Sequence, residues 1–488
     1  MENLYPDLKQ NKTRFEKDFA DCSDFLLREI KISGRDALML AMDGLVNSNN
    51  VAELVMRPVL ESDLPHETPN TLFEALKTAK IAATEMNEAQ TFEDVQYFLM
   101  SGFVAVLVDG CPRALCLGTQ GWNKRMTSES SNEAMSKGAK ESFVESINDN
   151  KALVRRRLKT PHLKFRQLKL GQETQTPVVI AYMDDKADKS IVDGVEMRLK
   201  SSNLETVLDY GCLHPFIDSD VRTFFSSVGV TERPDTLCSK LLEGRVAVMV
   251  EGSPFTMYVP YLFSDNFQSF DDYDNPPFYA GFIRLLKYMS FFASIFLPGL
   301  FVAVGTYHLE LLPTQMIYHI AAAEVMTPFS LTTESIITFL LYEVMREAGL
   351  RLPKTIGHAV SIIGAIVIGE ATVSAGLIGA PTLIIVAITA ISSYVVYPLY
   401  ESTAVLRLIS IVVGGVTGIY GIVLLACLLG VSACSIGPFG VPYSAPITPF
   451  SKDSAPDIFI RESWKKLRLR RVKIQDLRGA SVDADKKL

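Results

Sequence analysis

FVAVLVDGCPRALCL (103–117) and RVAVMVEGSPFTMYV (245–259) are two versions of one pattern. Each is a β-branched apolar run, an acidic residue followed by Gly, a Pro two positions after that Gly, and a second apolar run. An acidic-Gly pair between such runs marks a hairpin, because glycine enters φ > 0 without steric cost. Pro112 and Pro254 then suit strand starts or edges, where no ladder N–H is required. A second pair of stretches lies at almost the same offset. MDGLVNSNNVAELVMR (42–57) resembles MDDKADKSIVDGVEMR (183–198), each after an apolar run, ALML or VVIAY, that reads as a buried strand. Met42 to Met183 is 141 positions and Asp109 to Glu251 is 142. The shared spacing indicates a duplicated strand–helix–hairpin unit. The expectation is an α/β N-terminal soluble region of two similar subdomains, 25–145 and 165–265. A polar segment 1–24 precedes them and a basic linker 146–164 joins them.

The 488 residues are 48% apolar and 21% charged, with a formal net charge of −7. These averages hide three regions. Residues 1–283 are mixed and charged, 284–450 are mostly apolar, and 451–488 hold eleven Lys or Arg against six Asp or Glu. That pattern reads as a soluble region, a juxtamembrane linker 266–283, an α-helical polytopic membrane domain 284–450 and a short basic tail 451–488. The opening MENLYPDLKQNKTRFEKDF has no apolar core behind a basic start, so no cleavable signal is expected. Overall acidity argues against nucleic acid as a partner, and WKKLRLRRVKIQDLR suits an anionic lipid leaflet.

Seven cysteines are scattered without a CxxC pair, and six histidines are equally dispersed. Neither a disulfide framework nor a metal site is expected. The chain has no phosphate-binding glycine loop and no HExxH, so no cofactor and no catalytic residue is assigned and an enzyme is not the expected class. Asp43, Asp109, Asp184 and Glu251 read as turn chemistry at strand ends and hairpin tips. KALVRRRLKTPHLKFRQLK (151–169) carries eight Lys or Arg and no acid. Contact with lipid headgroups, contact with a neighbouring subunit's acids, and a solvated linker all remain open for it.

Four apolar spans are expected in the membrane half, near 285–308, 355–378, 382–399 and 402–433, each long enough for about 30 Å of hydrocarbon. Pro298 interrupts the first, and the fourth is tilted or divided. Gly414 and Gly418 in the fourth permit close helix contact. Residues 311–354 carry too many charges for a clean span and read as amphipathic or re-entrant. Arg284, Lys287 and the basic tail flank the spans, so the positive-inside rule puts both termini in the cytosol and 311–354 on the outer side. The second span holds Glu370. Helical spacing aligns Ile363, Val367, Glu370, Ser374 and Leu377 on one face. Gly364, Gly369 and Gly376 let neighbours pack closely around it. An intramembrane carboxylate costs roughly 2.5–3.5 kcal/mol, so it faces a watery path or a polar partner rather than lipid.

Three further stretches carry a family resemblance: TERPD (231–235), YEVMREAGLRLPKTIG (342–357) before GAIVIGEATVSAG (364–376), and SIGPFGVPYSAPITPF (435–450). In this order they resemble the A-subunit family of spore germination receptors, over roughly 25–470. The resemblance implies a subunit of a spore inner-membrane complex. Its partners would be a transporter-like B subunit and a lipoprotein C subunit. It also implies a homo-oligomer, a pentamer in the proposed arrangement, that opens an ion channel in response to nutrients. Relatives typically carry an amide where this chain has Glu370, and Ser-Pro where it has Gly379-Ala380-Pro381.

On that reading Ile363 and Val367 form an apolar constriction and Glu370 a ring of carboxylates favouring cations. A non-conducting signalling scaffold and a transporter-like carrier are the alternatives. Glu232, Arg233 and Asp235 are read either as an ion-pair lock between subunits or as a capped turn with Pro234 opening a helix. Glu347 and Arg351, four apart, pair along a helix face.

Overall fold

The computed structural model describes residues 2–58, 68–78, 85–121, 133, 138–218, 223–353, 364, 367–450, 457–459, 461, 463, 465 and 473–481. Its soluble half contains two antiparallel five-stranded sheets of one topology. The first has the order β1-β2-β4-β5-β3 and the second β6-β7-β9-β10-β8. The first five strands are β1 Phe25–Ile32, β2 Arg35–Met42, β3 Met86–Ala89, β4 Phe103–Val108 and β5 Ala114–Gly118. Their counterparts are β6 Leu163–Leu170, β7 Thr176–Met183, β8 Gly229–Thr231, β9 Val246–Val250 and β10 Thr256–Val259. The quoted repeats are the β4–β5 and β9–β10 hairpins. Gly110 and Gly252 turn them at φ +83° and +86°, a region that a Cβ would strain.

The soluble-half helices are α1 Leu8–Asp18, α2 Pro69–Thr78, α3 Phe92–Leu99, α4 Ile147–Arg157, α5 Lys189–Ser201, α6 Tyr210–Ile217 and α7 Pro234–Leu242. Helices cover both faces of each sheet, which is why inner strands such as β4 and β9 read as continuous apolar runs, whereas the edge strands β1 and β6 carry alternating charges. On the first sheet, Phe15 of α1 and Phe92, Val95 and Leu99 of α3 pack on Leu38, Leu40 and Leu107. Leu72, Phe73 and Leu76 of α2 cover Met39, Val104 and Val106 on the other face. On the second sheet, Leu153 and Val154 of α4 lie with Leu237 and Leu241 of α7 over one face, and Ile191, Val195 and Leu199 of α5 over the other.

The duplication reaches further than the strands. Asn11 in α1 and Asn150 in α4 each clamp the residue six positions earlier. Asn11 accepts from the Tyr5 N–H and donates to its carbonyl, and Asn150 does the same with Val144. Asp109 accepts the N–H of Leu8, the first residue of α1, and Glu251 accepts that of Ile147, the first residue of α4. The hairpin acids thus satisfy helix N-termini. Helices α1 and α4 are therefore equivalent first elements of the two units. The stretches expected as a polar lead (1–24) and a basic linker (146–164) each contain one. Sequence similarity hid this because only single positions, such as Asn11 and Asn150, are shared.

Of the cations of 151–169, Lys151, Arg155 and Lys164 turn inward, while Lys159 and Lys169 stay exposed. Arg155, with 0% of its surface exposed, donates from Nε and Nη2 to Asp24, both at 2.9 Å, and from Nη1 to the Leu163 carbonyl. Arg166 reaches Asp21, Asp193 and Glu196, and Arg156 and Arg157 reach Glu141. The basic stretch forms the joint between the two sheets rather than a solvated linker.

The helical region comprises α8 Pro277–Tyr307, α9 Thr314–Met326, α10 Leu331–Arg351, α11 Ala380–Val395 and α12 Tyr400–Ser435. Helices 277–307 and 397–435 are long and apolar enough to cross a membrane; 380–395 is apolar but shorter. The segment expected as amphipathic or re-entrant, 311–354, contains α9 and α10. Gly418, at φ 67° and ψ −154°, breaks α12 into two helical pieces. The core of the second sheet runs without interruption into this region through Phe267, Tyr288, Phe291, Ile295, Leu406 and Tyr443. Phe439, Val441 and Ala445, just after α12, join the opposite face together with Ile474 and Leu477. Ile474 and Leu477 of the tail therefore pack on the second sheet. Asp457 binds Arg284 and Tyr273, and Arg461 donates to the carbonyls of Tyr273 and Asn275.

Candidate pore segment and its anchors

Helix α10 leads into the segment that carries Glu370. Ser330 caps it, accepting the Thr333 N–H, and an inward face of Glu334, Ser335, Thr338 and Phe339 fixes its rotation. Glu334 is 2% exposed. Its Oε1 accepts the N–H of Gly379, the residue that opens α11, at 2.9 Å. This gives the buried carboxylate a donor at a helix N-terminus, where the helix dipole also favours it. One hydrogen bond thus ties the first turn of α10 to the residue that opens α11.

Between those ends, Val367–Ala371 form a π-helical turn and Thr372–Ser374 a short α-turn, closed by a bend at Gly376. Glu370 and Ser374 are exposed, and Leu377 is 47% exposed. Ile363 lies outside the described residues, as does the side chain of Val367. The five residues placed on one helical face by spacing therefore do not follow one regular repeat, because a π-turn spans Val367–Ala371 and an α-turn follows it. A π-turn is wider than the 3.6-residue repeat on which that face was drawn.

A Cβ on Gly364 would lie 2.2 Å from Met345 Sδ, so the backbone at this residue lies close against α10. A Cβ on Gly369 would meet nothing within 4 Å, so the packing expected there has no neighbour among the described residues. Gly376 abuts the Met326 carbonyl at the end of α9. In α12, a Cβ on Gly414 would fall 2.4 Å from the Gly299 carbonyl oxygen, which marks the close crossing of α8 and α12.

The charged anchor of α10 is Glu343. Its carboxylate accepts the Tyr400 hydroxyl at 2.9 and 3.0 Å and faces Arg407 Nη1 at 3.3 Å and Arg346 Nη1 at 3.4 Å. The Arg346 guanidinium stacks 3.7 Å from the Tyr400 ring centroid. Arg407, 1% exposed, also donates from Nε to the Ser294 carbonyl at 3.1 Å. Arg407 is the one cation in the apolar run 402–433, and that isolation is the sequence signal for a buried charge. Farther along α10, Glu347 and Arg351 pair at 2.7 Å on the exposed side.

In the soluble half, Arg233 binds Asp235 within one chain, Nε to Oδ1 at 3.1 Å and Nη2 to Oδ2 at 2.6 Å. Pro234 opens α7 beside it. Arg233 Nη2 also donates to the Ala139 carbonyl, and the Glu232 carbonyl accepts from Phe143 N–H and Ser142 Oγ. The motif is a turn that clasps the 138–143 strand-to-helix connection. Thr231 beside it donates to Glu133 at 2.7 Å. Burial pushes the Glu133 carboxyl up to about 7; the Thr231 hydrogen bond opposes this and Glu232 adds to it. At Asp265, burial alone would raise the carboxyl, but Arg245 and Lys240 outweigh it and hold the group well below the usual range. His162, Asp184 and Asp185 bring ligand-type atoms within 4.8 Å of one another on the surface. Lys164 Nζ, 3.8 Å from Asp184, places a cation at the same spot.

Comparison with known proteins is extensive. The family described as "Bacillus/Clostridium GerA spore germination protein" matches residues 13–473. The uncharacterized membrane protein YfkQ of Bacillus subtilis (strain 168) is 36% identical over 467 residues, covering 94% of this chain and 90% of its own length. Spore germination protein KA of the same organism is 34% identical, covering 94% and 85%. Among solved structures, the N-terminal domain of the A subunit of the Bacillus megaterium spore germinant receptor GerK3 is 26% identical. It covers 54% of this chain and 97% of its own, with a TM-score of 0.41. The match runs through both sheets and on through the helical region, and with it this chain belongs to the Bacillus/Clostridium GerA spore germination protein family.

Proposed function

We propose that this chain is the A subunit of a nutrient-sensing spore germination receptor, and that copies of it assemble in the spore inner membrane into a nutrient-gated ion channel with B and C subunits. Family membership over 13–473 carries the receptor role. The channel role is supported by the segment after α10. Its exposed Glu370, Ser374 and Leu377 sit within an apolar helical region, a surface that neighbouring copies would turn toward a shared aqueous axis. Five copies is the arrangement we favour. The tail's packing on the second sheet supports both ends lying on one side of the membrane, which we take to be the cytosol, and hence an even number of crossings.

Ion flux from vesicles holding the assembled receptor tests the channel. Wild type should release monovalent cations on exposure to nutrient. Glu370→Gln should keep release but change the ratio of cation to anion permeability, because a ring of carboxylates is removed. Identical selectivity in the two would argue against an exposed Glu370 at the axis. Complete absence of flux in wild type would favour a scaffold without a pore.

A further inference from the structure

We propose that Arg407 is a positioning residue that holds α10, and the segment it leads into, in the resting arrangement by bridging α10 to a carbonyl left unpaired by Pro298. This rests on the receptor reading given above. Pro298 lies inside α8 and has no N–H. In an α-helix the N–H of residue 298 would bond the carbonyl of residue 294, so the Ser294 oxygen loses its helical donor. Arg407 Nε, from α12, supplies the missing one at 3.1 Å. The same guanidinium reaches Glu343 of α10 through Nη1 at 3.3 Å. One buried cation thus joins three helices, and two of its contacts exist because of features of the other two helices: a proline in α8 and an acid in α10.

The arrangement is poised rather than saturated. Arg407 Nη2 is buried with no hydrogen-bond partner among the described residues. Glu343 divides its two oxygens among Tyr400, Arg407 and Arg346. A buried charge with a spare donor and a shared acceptor has alternative pairings of similar strength, which is how a packed interface comes to have two discrete states. The route from the soluble half to this cluster is continuous. Helices α8 and α12 share the core of the second sheet, through Phe291, Ile295, Leu406 and the Tyr443 segment that follows α12. Beyond Glu334, α10 meets that framework through an apolar cluster, with Phe339 beside Val302 and Ile411, and through the charged tie at Glu343. A displacement of α12 relative to α8 must stretch either the Ser294 bond or the Glu343 pair. The second option removes the charged tie that α10 makes to α12.

Spores carrying the full receptor with Glu343→Gln, Arg407→Lys or the double change Glu343→Gln/Arg407→Gln provide the test. The A-subunit level is read by immunoblot, and germination is followed across a dilution series of peptone broth. Glu343→Gln should respond at about tenfold lower broth concentration with an unchanged maximal rate, a coupling in the usual range for linked sites. The double change, a neutral amide pair, should return the response toward wild type. Arg407→Lys, which keeps the charge but loses the planar Nε donor to Ser294, should fall between. The proposal is overturned if Glu343→Gln accumulates normally and its concentration dependence matches wild type. Loss of protein in the single and double variants alike also overturns it, because the cluster then serves folding alone. Should Glu343→Gln shift the response while wild-type vesicles pass no ions, the positioning role stands and the channel reading fails.

Discussion

At the residue scale, charges decide more than the apolar pattern does. The Arg155–Asp24 pair is closed by two 2.9 Å bonds and covered by the Phe165 ring, 4.7 Å from the guanidinium. Removing one partner of a buried pair typically costs about 3–5 kcal/mol, far more than the pair's net worth. Asp24→Asn should therefore lower the thermal midpoint of the full chain in detergent and open the joint between the sheets to protease. A change below about 1 kcal/mol would mean that the joint is held by packing alone. Glu133 offers a pH test. Its folded value, about 7, lies above the ordinary 4.5, so the folded chain holds a proton that the unfolded chain has released. The contribution is full below about pH 4.5 and disappears as pH rises through 7. Between pH 5.5 and 8, wild type should lose more thermal stability than Glu133→Gln; parallel slopes would refute the assignment. None of these pairs was legible beforehand. Sequence shows that 151–169 is basic but not that its partners sit 131 positions earlier, and long-range charge pairing leaves no periodicity to read.

At the scale of elements, hairpins were the most legible features and helix breaks the least. An acidic-Gly turn between β-branched runs has one good solution, and both copies adopt it. The fourth apolar run was expected to be tilted or divided, but its string of glycines did not say which one breaks the helix. Gly418 stands at φ 67° and ψ −154°, a backbone region essentially closed to other residues. Gly418→Ala should cost about 1–3 kcal/mol or force α12 straight, and reduced receptor level in spores would register either. An Ala at 418 with wild-type level and wild-type germination would show that the break is dispensable. Gly414→Leu tests the helix crossing. Even a Cβ there falls 2.4 Å from the Gly299 carbonyl, so α8 and α12 would have to part. Accumulation should drop sharply, whereas a Leu at Gly369, where a Cβ meets nothing within 4 Å, should be tolerated if no second copy covers it. The face drawn through Ile363, Val367, Glu370, Ser374 and Leu377 assumed a uniform 3.6-residue repeat. The π-turn at 367–371 is a local choice that periodicity does not encode.

At the scale of the whole molecule, the two copies of one unit have unequal attachments. The first sheet joins the rest through α4 and the ion pairs around Asp24 and Arg166. The second shares one apolar core with α8 and α12 and another with residues 439–445 and 474–477. The duplication was legible as two similarities at one spacing, but its start was not. Helix α1 is polar, with only Asn11 and Phe15 buried, and carries no apolar stripe strong enough to betray a partner at 147–157. Ending the chain after residue 456 should strip Arg284 of Asp457 and remove Ile474 and Leu477 from the second sheet. Such a chain should be cleared or aggregate, as judged by its level in spores. Normal levels would make the tail an accessory. The same feature sets an order of events during synthesis. Residues made last complete the core of a sheet made within the first 260, and the apolar helices emerge between them. The second unit thus remains unfinished, its apolar face awaiting Val441, Ala445, Ile474 and Leu477, until every intervening helix has left the ribosome and found its place. A nascent chain stalled before that point presents an open core to the cell's proteases, so the fold inspects its own completion.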